Sequence, residues 1–183
     1  AFEETLCSRV EKLQTGNGME DGVGVGPLVN DSAVAKVERQ VEDAREKGAG
    51  VPIGGARLTE GDHANGHFFA PTVLTDVNDE MAIYREETFG PVAPVISYED
   101  PEQVVQLAND TNYGLAAYVY TRDISVAMRA FEGLRFGIIG INDVNPTSAS
   151  VPFGGMGDSG VGREGGHEGI SEYLETKTGG FAI

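Results

Sequence analysis

Two adjacent carboxylates, Glu86 and Glu87, stand directly before Thr88-Phe89-Gly90-Pro91-Val92, where glycine and proline impose a chain reversal. A carboxylate locked at such a bend, rather than spread along a solvated helix, can accept hydrogen bonds from vicinal hydroxyls such as those of a ribose. Downstream, Pro152-Phe153-Gly154-Gly155 and Ser159-Gly160-Val161-Gly162-Arg163-Glu164 also set aromatic, basic or acidic side chains beside glycine. The backbone turns tightly there and leaves room for a close approach. Arg163 among glycines suits an anion, and it also suits a tight loop in which Arg163 and Glu164 brace neighbouring backbone; the loop is the reading adopted.

Other reactive residue types carry less. Cys7, the single cysteine, falls within a helical pattern, with no glycine turn to expose its sulfur and no histidine near it in sequence, so it reads as a partly buried structural thiol. One cysteine excludes an internal disulfide and fits a reducing compartment. His63, His67 and His167 do not combine into a ligand set, and no metal is expected. Gly22-Val23-Gly24-Val25-Gly26 has the look of a phosphate loop, yet no strand precedes it, the third glycine is misplaced and Pro27 follows at once; it is expected only to turn the chain.

The elements that must position these residues follow from periodicity. Phe2, Leu6, Val10 and Leu13 predict an amphipathic helix over residues 1–14. Val34, Val37, Val41 and Ala44 predict a second, from Asp31 or Ser32 to Lys47. Extended segments are expected at 51–53 and 68–74, the latter weakened by Pro71. Strand, helix, strand, helix and strand then succeed one another at 92–98, 101–109, 115–121, 124–134 and 136–142, with Asp100 and Asp123 as helix caps. This alternation predicts a layered α/β arrangement with βαβ crossovers, with 137–141 apolar enough for a central strand. Residues 143–166 read as a long loop, and 170–177 as a short helix passing into an exposed edge strand.

With 183 residues and 40% hydrophobic content, one compact domain is expected. A formal charge of -16 repels nucleic-acid phosphates and anionic lipid surfaces, so neither is expected as a partner. No run reaches the roughly 18 apolar residues of a spanning helix, and a cytoplasmic location is expected. The absence of an initiator methionine suggests a piece of a longer chain.

End to end, the chain resembles the C-terminal part of the NAD(P)-dependent aldehyde dehydrogenase superfamily. The resemblance rests on Gly16-Asn17-Gly18 with Gly26-Pro27-Leu28, on Phe69-Ala70-Pro71-Thr72-Val73-Leu74, and on Glu86 to Val92. Asn109-Asp110-Thr111-Asn112-Tyr113-Gly114-Leu115 and Pro152 to Glu164 complete it. It implies a layered α/β/α catalytic-domain sheet, with residues 1–168 as a partial catalytic domain and 169–183 as a C-terminal oligomerisation segment. It further implies NAD or NADP as cofactor, with Glu87 binding the nicotinamide ribose and Phe89 packing beside the nicotinamide. Glu86 is then structural. Thr147, Ser148 and Phe153 become the substrate-side residues, lining an aldehyde tunnel, and the parent protein is expected to be a homodimer or homotetramer.

In that family the cysteine nucleophile, general-base glutamate, oxyanion asparagine and nucleotide-binding domain precede the matched segment, which implies that this chain is inactive alone. The family's thiolate attacks the aldehyde, hydride passes to NAD(P)+, and water hydrolyses the thioester. The tail from Gly162 to Lys177 looks most like the succinate-semialdehyde branch, where a hydroxyl at Thr147 or Ser148 would help hold a distal carboxylate. Two departures stand out: relatives commonly carry lysine at the position of Gly157 and a bulky residue at that of Thr178. The competing reading is a stand-alone, non-enzymatic α/β binding or assembly module.

Overall fold

Two apolar nuclei, rather than one, organise the chain. The computed structural model describes residues 1–182 and divides them into one compact unit at Ala1–Ser97 and a second that begins at Tyr98. Each unit has buried apolar residues of its own.

In the first unit, α1 (Phe2–Val10) is followed by β1 (Gln14–Thr15) and β2 (Val23–Val25), which pair in parallel. The glycine-valine string expected only to turn the chain thus forms a short strand, because Val23 and Val25 alternate with glycine and can pack on one side. Helix α2 (Asp31–Glu46) starts where the Asn30 side chain accepts a hydrogen bond from the Ala33 amide at 2.9 Å, which satisfies one of the amides a helix start leaves unpaired. Its stripe of Val34, Val37, Val41 and Ala44 is buried as the spacing predicts, and Phe69, Leu74, Val77, Met81 and Ile83 close over it.

Strands β3 (Gly50–Ile53), β4 (Arg57–Leu58), β5 (Phe68–Phe69) and β6 (Thr72–Thr75) come next, then α3 (Ala82–Arg85) and β7 (Val92–Pro94). Pro71 separates β5 from β6, as the missing amide requires. The sheet is mixed: β6 is central, antiparallel to β3 and parallel to β7, while β4 and β5 form an antiparallel pair. The strand expected over 92–98 stops at Pro94.

In the second unit, α4 (Pro101–Ala108) is capped by Asp100, whose carboxylate accepts from the Glu102 amide at 2.9 Å. Strands β8 (Tyr113–Gly114) and β9 (Ala116–Val119) lead through α5 (Ile124–Gly133) to β10 (Ile138–Ile141). Asp123 caps α5 by accepting from the Ser125 and Val126 amides at 2.7 and 3.1 Å. β9 and β10 run parallel, with Ala116 opposite Ile138, so a βαβ crossover is present. β10 pairs only with β9 among the described residues, not as the centre of a wider sheet. Ala127, Ala130 and Ile138 form the buried centre of this unit.

The loop after β10 contains β11 (Met156–Gly157), antiparallel to β8, and a bridge between Phe153 and Glu164. A 3-10 turn at Glu168–Tyr173 follows. The edge strand expected beyond it is not formed among the described residues, since an extended segment counts as a strand only when another pairs with it.

Candidate functional site

The bend at 86–90 is held by the polar side of α2. Arg39 grips the Glu86 carboxylate with two hydrogen bonds, Nη2 to Oε2 at 2.6 Å and Nη1 to Oε1 at 3.3 Å. Next to it, the Gln40 side-chain amide donates to the Glu86 carbonyl at 3.2 Å, and the Lys36 ammonium donates to the Glu87 carbonyl. One turn on, Asp43 accepts from the Ala82 amide at 2.7 Å and pairs with Lys47, which also donates to the Glu80 carbonyl. Residues 36, 39, 40, 43 and 47 share one helix face, so this face fastens the whole segment from Glu80 to Glu87.

The charges respond to this arrangement. The hydrogen bond from Arg39 holds the Glu86 carboxyl below its ordinary value, and Glu86 in turn raises the guanidinium. Asp43 is lowered too, first by the Ala82 amide and then by Lys47. Both carboxylates stay ionised because donors face them.

Glu86 is extended, at φ -105 and ψ 129, and side chains alternate along extended backbone. With Glu86 turned onto α2, Glu87 is directed away from it, and its carboxylate is exposed. Among the described residues Glu87 forms no ion pair. Phe89 follows at φ 48, in the left-handed region that a bulky residue rarely occupies, with 84% of the residue exposed. The ring is thus presented outward on a backbone conformation that a bulky side chain seldom adopts.

In the second unit, Thr147 donates to the Asn145 side chain at 3.2 Å, and the Ser148 and Ser150 hydroxyls lie 2.9 Å apart. Both predicted hydroxyls therefore sit on the loop after β10 and bond within it. Phe153 is tied to Glu164 by two backbone hydrogen bonds of 2.7 and 2.8 Å, and it lines a cleft with Arg163, Glu172 and Tyr173. Thr147 and Ser148 do not line that cleft. Arg163 donates to the Gly155 and Gly162 carbonyls at 2.9 and 2.6 Å, bracing the glycine loop itself. Gly157 adopts φ 59, and a Cβ there would run into the Asn112 carbonyl.

Cys7 is partly buried on α1. His63 bonds the Thr15 carbonyl at 2.8 Å and packs edge-on against Phe68, while His67 faces Asp31. Among the described residues no group of three histidine, cysteine or acidic side chains is placed to hold a metal ion.

Residues 1–179 match the Aldehyde dehydrogenase family. The chain belongs to the aldehyde dehydrogenase family. It is 48% identical over 177 residues to the non-phosphorylating aspartate-semialdehyde dehydrogenase of Halomonas elongata, covering 97% of this chain and 35% of that protein. To the Escherichia coli NADP(+) succinate-semialdehyde dehydrogenase GabD it is 48% identical over 176 residues, covering 96% and 36%. The crystal structure of Staphylococcus aureus betaine aldehyde dehydrogenase in complex with NAD+ superposes with a TM-score of 0.90 at 41% identity, over 96% of this chain and 35% of that one. The chain spans about a third of the length of the aldehyde dehydrogenases it matches.

Sequence reasoning named Glu87 and Phe89 in this aldehyde dehydrogenase segment and missed the face of α2 that bonds Glu86 and the Glu87 carbonyl. A signal was present: Gln40 adjoins the valine-alanine stripe, where a buried amide needs a polar partner.

Proposed function

We propose that this chain is the part of an NAD(P)-dependent aldehyde dehydrogenase that supplies a ribose clamp and one wall of the substrate tunnel. Glu87 accepts hydrogen bonds from the nicotinamide-ribose hydroxyls, and Phe89 lies against the nicotinamide. The observation that carries this is the bend itself: α2 binds Glu86 and the two carbonyls, leaving the Glu87 carboxylate and the Phe89 ring turned outward. An exposed acceptor beside an exposed aromatic fits a sugar joined to a planar ring. The dinucleotide, when bound, accepts the hydride removed from the aldehyde.

Thr147, Ser148 and Phe153 form the aldehyde side, with a hydroxyl available to a distal carboxylate. Succinate semialdehyde is the first substrate to consider, since succinate-semialdehyde dehydrogenases are among the similar proteins; aspartate and glutarate semialdehydes follow from others. Residues 169–183 serve assembly into a homodimer or homotetramer. Large apolar side chains left exposed on α5, Ile124, Met128 and Phe131, also suit cover by further protein. The chain is inactive alone, because its one cysteine lies half-buried on α1 and does not serve as the nucleophile.

The test is to follow reduction of NAD+ and NADP+ by the full-length parent across a small panel of semialdehydes. Oxidation of a short semialdehyde supports the reading, and no dinucleotide reduction with any member of the panel overturns it.

A further inference from the structure

Among the described residues Gln40 is the largest buried polar side chain, at 0% exposure where the polar face of α2 meets the stripe of Val37, Val41 and Ala44. Its Nε2 donates to the Glu86 carbonyl at 3.2 Å, while its Oε1 is buried with no hydrogen-bond partner. Exchanging the two ends of the amide would set oxygen against the Glu86 carbonyl oxygen, so the orientation is determined by that contact. An unmatched buried carbonyl is unfavourable, and an apolar side chain of the same length would fill the space without it. For core packing alone glutamine is a poor choice; for fastening the Glu86 peptide it is a good one.

We propose that Gln40 is a positioning residue for the dinucleotide site: its buried amide pins the Glu86 carbonyl and so sets the direction in which Glu87 presents its carboxylate. The inference rests on the assignment of Glu87 to the cofactor ribose. Arg39 assists from the rim, where its ion pair with Glu86 is 54% and 44% exposed on the two sides and screened by solvent. Gln40 acts from a buried position, and its hydrogen bond to the Glu86 carbonyl is part-buried and less open to water than the ion pair at the rim. A turn of the peptide between 86 and 87 would swing both side chains together, since they leave the same short extended segment on opposite sides.

The test compares Gln40→Met, Glu87→Gln and the double variant in the full-length protein, reading dinucleotide affinity by calorimetry and amide hydrogen exchange at residues 86–90. Gln40→Met is expected to speed exchange at the bend and to weaken NAD+ or NADP+ binding about fivefold, the equilibrium equivalent of one ordinary hydrogen bond. The melting temperature is expected to hold or rise, because the unmatched carbonyl is gone. In the Glu87→Gln background the same change is expected to cost no further affinity. Unchanged exchange or affinity in Gln40→Met, with Glu87→Gln weakened, overturns the positioning role alone. A Glu87→Gln protein that binds as tightly as the unaltered one overturns the ribose assignment, and this inference with it.

Discussion

Arg39 and Glu86 meet through two parallel hydrogen bonds across 47 positions of sequence, joining the middle of α2 to the end of α3. The fork geometry of a guanidinium against a carboxylate fixes orientation as well as distance. The Glu86 carboxylate is thereby committed to α2.

Phe89→Ala separates ligand contact from packing. The ring is exposed and held at a positive φ, so its removal is expected to change folding stability by no more than about 0.5 kcal/mol. In the full-length protein the same change is expected to lower kcat/KM for aldehyde oxidation at least about tenfold, a barrier increase of roughly 1.4 kcal/mol. Urea unfolding and steady-state kinetics on one preparation check both halves. A large loss of stability with unchanged kinetics would place the ring in the core instead.

Acid should loosen the first unit. Glu86 and Asp43 both titrate below their ordinary values when folded. Their contribution is therefore complete above the unfolded values, roughly pH 4, and is lost as the pH falls through the lower folded values. Between neutral pH and about 5 these two groups contribute a constant amount. Urea midpoints measured down to acid pH are expected to drop for the unaltered protein and to drop less for Glu86→Gln with Asp43→Asn. Identical acid limbs would show that neither pair matters.

Gly137→Ala tests how the second unit holds its loop. A Cβ at position 137 would run into the Gly154 carbonyl, with Gly155 next in line; the nearest atoms there are all backbone, which cannot swing aside as a side chain would. The substitution is expected to cost about 1 to 3 kcal/mol, in the range of overpacked cores, and to displace Phe153. Thermal melting reads the first effect, and the KM for the aldehyde in the full-length protein reads the second. A variant as stable as its parent would mean that the loop yields freely.

Much of the scaffold was legible before any coordinates. The α2 stripe, the Asp100 and Asp123 caps and the β9–α5–β10 succession follow from side-chain spacing and from carboxylates that can meet free amides, both local properties. What escaped was non-local. Strands Gly50–Ile53 and Thr72–Thr75 pair antiparallel although separated by two further strands, and no pattern within either announces its partner. The division after Ser97 was likewise hidden, because composition reports how much apolar surface exists and not how many centres it gathers around. At the bend, the glycine and proline after Glu87 marked the chain reversal, and residue type and resemblance nominated Glu87 and Phe89 as the cofactor-side residues. Lys36, Arg39 and Gln40 were not, since their role depends on a contact about fifty residues away.

The contiguous run from Ala116 to Ile141 carries a kinetic consequence. Its two parallel strands are joined by one capped helix, so the segment closes on itself using neighbours that are never far apart along the chain. Loops of that size close early, whereas the bend at Glu86 and Glu87 is fastened by α2 side chains 46 to 51 positions away and must await a longer search. Refolding followed residue by residue should therefore find amides of the Ala116–Ile141 stretch protected while the bend at Glu87 is still exchanging.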